Sequence, residues 1–277
     1  MRITWSGYKP YQYNEPNYNW LYIENVGNET GKLYVDTIDP FEYTRQHIGG
    51  KGYYSFNKSV WSEIPVEGVS VEAGEKVYIK NSGGWSRAAY YYGLSFDKTF
   101  NVGGNSMSLI YGDDTEQTTL NTDYCFMMLF INQTNLLDSS NMMLPATTLT
   151  IRCYAQMFQG CTSMVAGPQL NAETLTGYCY MSMFRNCSSL VHAPVLGAKT
   201  LVEWCYGNMF YGCSSLKDMT VGFTQWAGSL SATDSWVGGL PGTGTFTCPS
   251  TLEVRYDTNH IPSGWTVENY QELNESI

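Results

Sequence analysis

The chain has 277 residues, 43% of them apolar and 15% aromatic, with only 14% charged and a net charge of −10. That apolar share supports a real core, while the acidic balance and the lack of any Lys/Arg cluster exclude nucleic acid as the expected partner. No run of about 18 apolar residues occurs, which excludes membrane insertion through a helix, and the scarcity of charge leaves a surface of Ser, Thr, Asn, Gly and Tyr, as on an extracellular or virion surface.

The first residues, MRITWSGYKPYQYNEPNYNW, hold neither the apolar stretch of a signal peptide nor a lipoprotein cysteine. No Sec export is expected, so the protein would be intracellular when made, unless it is a fragment or travels outward as part of a larger particle. Trp5, Tyr8, Tyr11, Tyr13, Tyr18, Trp20 and Tyr22 follow one another among Pro and Asn. Aromatics this dense bury large areas, either as a strand on their own domain or by docking onto a neighbouring subunit.

Residues 1–100 read as an all-β, sandwich-like domain. LYIENVG, KLYVDTI, YYSFNKSVW, VSVEAGEKVYIKN and YYYGLSFDKTF are rich in Val, Ile, Tyr and Phe, and turn clusters NVGNETG, IGGKG and NSGGWS separate them. KVYIK alternates, placing Val77 and Ile79 on one side and Lys76, Tyr78 and Lys80 on the other. The text NVGGNSMSLIYGDD then opens a second domain, residues 101–222, and is expected to cover its end. Asp113 and Asp114 read as a solvated, helix-capping pair, because their loop lacks the alternating oxygens of a calcium site.

Within the second domain a 26-residue unit recurs from Cys153, Cys179 and Cys205: CYAQMFQGCTSM, CYMSMFRNCSSL and CYGNMFYGCSSL. A decayed copy begins at Cys125, with two extra residues in its middle and Gln133 in place of the second Cys. Such a period marks a short solenoid of the leucine-rich type, each coil stacked on its neighbours. Apolar positions at i, i+4 or i+5, and i+8 fit a short helix in each coil, and LVHAP or LKDMTV would make a strand pairing between coils. Phe158, Phe184 and Phe210 should stack, as should Leu175 on Leu201. Seven of the eight cysteines lie at repeat positions, so periodicity explains them better than a disulfide framework does, and buried free thiols in two ladders are expected. After Phe223 the period stops, and residues 223–277, with Trp226, Trp236, GTGTFTCPS and IPSGWTVEN, read as a β-rich C-terminal cap.

The repeat text MFxGCSSL, with APxL and ATTL between copies, resembles the BspA-like leucine-rich repeats of surface proteins of gut Bacteroidetes and of phages of those bacteria. The resemblance is specific over residues 123–216 and extends more weakly to FNVGGNSMSLIYGDD, to TGTF followed by IPSGWTV and to VEAGEKVYIK, with residues 1–60 outside it. It implies adhesion and surface binding, and no catalytic residues. Secreted members carry an export signal and this chain does not, which points toward a phage virion component.

Chemistry has little footing. His47, His192 and His260 stand far apart with no metal-ligand spacing, GxSxG and GK[ST] motifs are missing, and C-x7-C matches no zinc pattern. Positions that vary while the frame stays fixed are the candidates for binding. Arg152, Tyr178 and Trp204 form one column, in which stacked aromatics would offer planes to sugar rings or else pack over the solenoid edge. Gln159, Arg185 and Tyr211 form a second, and Ala166, His192 and Asp218 a third. The expectation is thus a mixed fold, an N-terminal sandwich followed by a solenoid of α/β coils with caps, needing no cofactor and no metal. Its expected role is a non-enzymatic virion surface or tail-appendage protein that binds a bacterial surface glycan or protein through the repeats and other virion proteins through the N-terminal domain. Virion fibres are commonly symmetric, so a homo-oligomer such as a trimer is expected. The alternatives are an adhesin-type module on the bacterial cell surface and an enzyme with an unrecognised site.

Overall fold

The computed structural model describes residues 20–81, 91–227 and 231–270. Of the aromatic N-terminal run, Trp5 to Tyr18 lie outside the described residues, as do most of NSGGWS and the tail after Tyr270. Among the described residues the fold is β-rich with mixed sheets and no closed barrel. Among the described residues the only α-helix is α1, Ser108–Tyr111, and no helix is long and apolar enough to cross a membrane.

The first part of the chain forms two sheets. β1 (Leu21–Asn25) lies between β7 (Lys76–Lys80) and β9 (Phe100–Asn105), antiparallel to both, and β7 continues to β4 (Tyr53–Ser55) and β5 (Ser62–Glu63). The second sheet is built on β2 (Gly31–Ile38), which carries β8 (Tyr91–Phe96) on one edge and β3 (Arg45–Ile48) and β6 (Val69–Val71) on the other. Inward residues of both sheets, among them Ile23, Leu33, Val77, Leu94 and Val102, belong to one apolar cluster. The KVYIK alternation holds, with Val77 and Ile79 buried, while the opposite face is also covered: Tyr78 is buried against Tyr22 and beneath Lys58.

The expected boundary near residue 100 falls at the start of a strand. β9 starts there, and besides β1 it pairs in parallel with β10 (Leu136–Met143), which lies in the decayed first copy. The apolar cluster likewise runs from the sheets into the repeats without a break.

The expected helix of each repeat is absent. In its place stands a run of turns with one residue in four in the left-handed region: Tyr124, Met128 and Asn132; Arg152, Gln156 and Gly160; Tyr178, Ser182 and Asn186; Trp204, Asn208 and Gly212. Amide donors alternate along each run. Arg152, Tyr154, Gln156, Phe158 and Gly160 donate to carbonyls of the next copy, at Gly177, Cys179, Met181, Met183 and Arg185. Cys153, Ala155, Met157, Gln159 and Cys161 donate three residues back within their own copy. Every amide of the run is thereby satisfied, half by the turn and half by the neighbour, which buried backbone requires. A left-handed L-residue costs about 1 kcal/mol or more, and the ladder offsets that cost. At the last left-handed position only small residues occur, Asn132, Gly160, Asn186, Gly212 and Gly239. A Cβ on Gly160 or Gly212 would lie 2.2 or 2.4 Å from the Oδ1 of the asparagine one copy earlier.

The same geometry continues past the point where the sequence period ends. Ser231, Ser235 and Gly239 have positive φ, and Ala232, Asp234, Trp236 and Gly238 accept the amides of Tyr206, Asn208, Phe210 and Gly212. The carboxyl-terminal segment is thus a further turn run carrying different side chains. On the other side of the chain the expected strand pairing is present. Asp138 bridges Ala166 and His192 bridges Asp218 in parallel, and β11 (Asp218–Thr220), β12 (Thr245–Pro249) and β13 (Thr266–Tyr270) extend this as a parallel sheet.

Inside, like side chains lie on like. Phe126, Tyr154, Tyr180 and Tyr206 form one ring column and Phe130, Phe158, Phe184 and Phe210 another, with neighbouring centroids 5.6–6.0 Å apart and planes within 13° of parallel. Trp236 closes both columns, 6.4 Å from Tyr206 and 6.5 Å from Phe210. Each buried ring contributes about 1.5–3 kcal/mol by burial. All eight cysteines are free and buried. Cys161, Cys187 and Cys213 each donate a thiol hydrogen bond to the carbonyl of Phe130, Phe158 or Phe184 one copy earlier, at 3.0–3.1 Å. The first copy has no turn run before it, and there Gln133 instead accepts the Phe96 amide of β8 at 3.1 Å.

Two outcomes are expected. Burial pushes the thiols of Cys125, Cys161 and Cys213 up to about 12, so the folded state keeps protons that the unfolded chain releases above the ordinary thiol value of about 8.5. Their contribution to stability is therefore complete below that pH and is lost as pH rises toward 12; the unfolding free energy from urea titrations at pH 8, 9 and 10 should fall, by up to about 1.4 kcal/mol per pH unit for each thiol. The Tyr154 hydroxyl is buried with no hydrogen-bond partner among the described residues, and Phe126 stands at the same place in the previous copy. Tyr154→Phe should leave the melting temperature unchanged or raise it by a few degrees, because an unsatisfied buried hydroxyl costs about 1–3 kcal/mol; a clear drop would mean that the hydroxyl is bonded.

Candidate functional site

The left-handed residues that open each turn run cannot point inward, because the following Cys and Tyr occupy the core. Tyr124, Arg152, Tyr178 and Trp204 accordingly line up on the outside as one half-buried column. The Arg152 guanidinium carbon lies 5.9 Å from the Tyr124 ring and 4.6 Å from the Tyr178 ring. Tyr178 and Trp204 stack at 6.3 Å with planes 5° apart. The sequence places Tyr178 and Trp204 together correctly, but their flat faces are turned toward each other and toward Arg152. The Tyr178 hydroxyl donates to Glu203 at 3.0 Å, and that carboxylate holds its phenol above the ordinary value.

Trp204 has room for its indole because Gly207 lacks a side chain: a Cβ there would lie 2.4 Å from the indole Cε3. Ala155 and Met181 stand at the corresponding place in the earlier copies, beside Arg152 and Tyr178. Sequence reasoning passed over Tyr124, Glu203 and Gly207. Tyr124 was findable, since it precedes Cys125 as Tyr178 precedes Cys179.

At the other end of each run is the second column. The Arg185 guanidinium carbon lies 5.0 Å from the Tyr211 ring, and Tyr211 in turn lies over Gly238, where a Cβ would meet its ring at 2.7 Å. Gln159 begins this column and accepts from Gln156, whose amide also donates to the Tyr43 hydroxyl. The third column is on the strand side, where His192 Nδ1 and Asp218 are 2.5 Å apart across neighbouring copies. Ala166 bridges Asp138 one copy before. The three columns are brought together only in the sense that each is continuous along the stack; none converges on another to make a pocket.

One cluster has no counterpart in the sequence reading. Asp36 on β2 is fully buried, with Arg45 at 2.6 Å and His47 at 2.5 Å, both from β3. Arg45 also donates to the carbonyls of Ile131, at 2.7 Å, and Leu94, so this ion pair fastens the N-terminal sheet to the first turn run. Its place in the register, Asp36 opposite His47, is invisible before β2 and β3 are paired. Around it Ile38, Tyr43 and Tyr91 close over Met127, Met128 and Ile131.

Each histidine has Nδ1 on an aspartate, His47 on Asp36, His192 on Asp218 and His260 on Asp257, in three separate places. Among the described residues no three His, Cys, Asp or Glu side chains are gathered as a metal site. The acidic pair after α1 does not cap a helix start: Asp113 takes Lys80 at 2.8 Å and the Trp20 indole at 2.9 Å, and Asp114 accepts from Gln117. Lys80 and Trp20 hold the Asp113 carboxyl below the usual carboxylate range against the opposing pull of burial.

The Trp204 and Gly207 pairing is testable by a double-mutant cycle. Gly207→Ala should cost about 1–3 kcal/mol in the native chain and much less in a Trp204→Ala background, as read by urea denaturation; equal costs would mean that the indole does not lie over Gly207. In comparisons with known proteins, no family model, no curated protein and no solved structure matches this chain.

Proposed function

We propose that the chain is a non-enzymatic recognition protein whose stacked repeats form a short solenoid of the BspA-like leucine-rich type, carried on the virion surface or tail of a phage of Bacteroidetes. In this reading the repeats contact a glycan or protein of the bacterial surface, and the N-terminal sandwich faces other virion proteins and its own symmetry mates. The supporting observation is the division between constant and variable positions. Cys, Tyr, Met and Phe recur unchanged inside, while the outward columns read Arg, Tyr, Trp and Gln, Arg, Tyr. Arg, Tyr and Trp are the residues that most often dominate binding energy at protein interfaces, and here each is fixed by its neighbour in the stack, which lowers the entropy cost of binding. The edges of the rings, the Arg152 and Arg185 guanidinium groups and the Glu203 carboxylate are what a partner would meet. The face-on sugar platform is not part of the proposal.

Labelled full-length protein should adhere to Bacteroidetes cells. Replacing Tyr178 and Trp204 by Ala, or Arg185 and Tyr211 by Ala, should weaken adhesion at least tenfold with the melting transition retained; adhesion unchanged by both pairs would remove the columns from the reading. Antibody against the chain should label purified phage particles. Labelling of the producing bacterium's own surface instead would favour an adhesin.

A further inference from the structure

The outer aromatic column ends at Trp204, and the turn run beyond it has a different character. One copy on, Ser231 takes the left-handed position, and Asp234, which accepts the Asn208 amide, stands where Gly207 stood. From here a groove of about 430 Å³ opens, lined by Trp226, Asp234, Glu253, Arg255, Asn259 and His260 together with small hydroxyl side chains. It is distinct from the three columns.

Its walls are fixed. The Trp226 indole donates to the Glu253 carbonyl at 2.8 Å and is held edge-on by Phe223 at 5.2 Å and His260 at 4.7 Å. The Arg255 guanidinium is already answered by a carboxylate, Glu253 at 2.5 Å, and the His260 ring meets Asp257 at 2.7 Å. Asp234 is a further carboxylate, and its side chain has no hydrogen bond or ion pair among the described residues. Asn259 accepts the Ser235 amide on its Oδ1 at 2.8 Å, which leaves its NH2 group as a donor.

We propose that this groove binds a neutral sugar residue of a glycan. An anion is disfavoured because no cation is free to meet it, and an apolar ligand would strand the carboxylate and the amide. A hydroxylated ring suits all three elements, its hydroxyls donating to Asp234 and accepting from Asn259 while its C–H surface lies against the indole. The volume falls in the range of small-ligand sites. The inference rests on the reading of the chain as a binding protein and names a ligand class and a place that the columns do not provide.

The test uses the full chain in saturation-transfer NMR against neutral monosaccharides and on an array of neutral glycans. Asp234→Asn keeps the shape and removes the charge; Asn259→Asp keeps the bond to Ser235 and removes the donor. Either change should reduce the sugar signal at least tenfold with the melting transition retained. No binding of any neutral sugar by the native chain, binding unaltered by both groove variants, or preference for an amine ligand would overturn the proposal. If cells are bound through the columns and no sugar is bound, the groove reading alone falls; if sugar is bound at the groove and column variants adhere normally, the column reading alone falls.

Discussion

The structure depends on how each turn run disposes of its backbone amides. A chain that places a left-handed residue at every fourth position cannot close a helix, and half of its amides are left without a partner in the run itself. Those amides point along the stack and find carbonyls of the next copy. A single turn run is therefore incomplete by construction, and its stability comes from the segments on either side of it. The aromatic columns and the thiols are consequences of that ladder: once the backbones are in register, identical side chains must lie one upon another, and only residues that tolerate an identical neighbour can occupy the inside. Phe and Tyr do so by slipped stacking, and Cys does so by donating to the carbonyl of the preceding copy.

The ends of the stack show how the requirement is met when no further copy exists. At the first copy, β8 and β9 supply what a preceding turn run would supply, through the bonds from Phe96 to Gln133 and from Leu94 to Leu129 and through the parallel pairing of β9 with β10. Arg45 adds a charged fastening, bonding the Ile131 carbonyl while its own charge is balanced by buried Asp36. At the other end the side chains change while the backbone pattern persists, and Trp236 is wide enough to cover both ring columns. Three indoles there, Trp226, Trp236 and Trp265, each donate to a backbone carbonyl 24–27 residues away, about one copy along the stack.

Much of this was legible in the sequence, and the exceptions have physical causes. The period, the stacking of Phe158 on Phe184 on Phe210, the buried thiols and the strands of LYIENVG, KLYVDTI and KVYIK are set by regular spacing and alternation. The helix did not materialise because inward residues at i, i+1, i+4, i+5 and i+8 suit a four-residue turn period as well as a 3.6-residue helix. The exchange of Gly160 for Asn186 and Gly212 held the distinction, since Gly and Asn are the two residues most at ease with positive φ. β3 was missed because RQHI carries no apolar alternation; its residues are recruited by buried Asp36 on the neighbouring strand. The columns were legible as positions, while the orientation of the rings was not, because it is set by the backbone geometry at Tyr178 and Trp204 rather than by residue type.

The first copy differs from the others at Gln133, and the last turn run differs at nearly every side chain, while the three full copies keep the same buried Cys, Tyr, Met, Phe and Cys. Growth of the array is thereby confined to its middle. Duplicating one interior unit would lengthen the molecule by about 4.8 Å and add one more rung to each exterior row, leaving both terminal seals untouched. A gene bearing this design can alter its length and its exterior rows by whole-unit gain or loss, without inventing a new core.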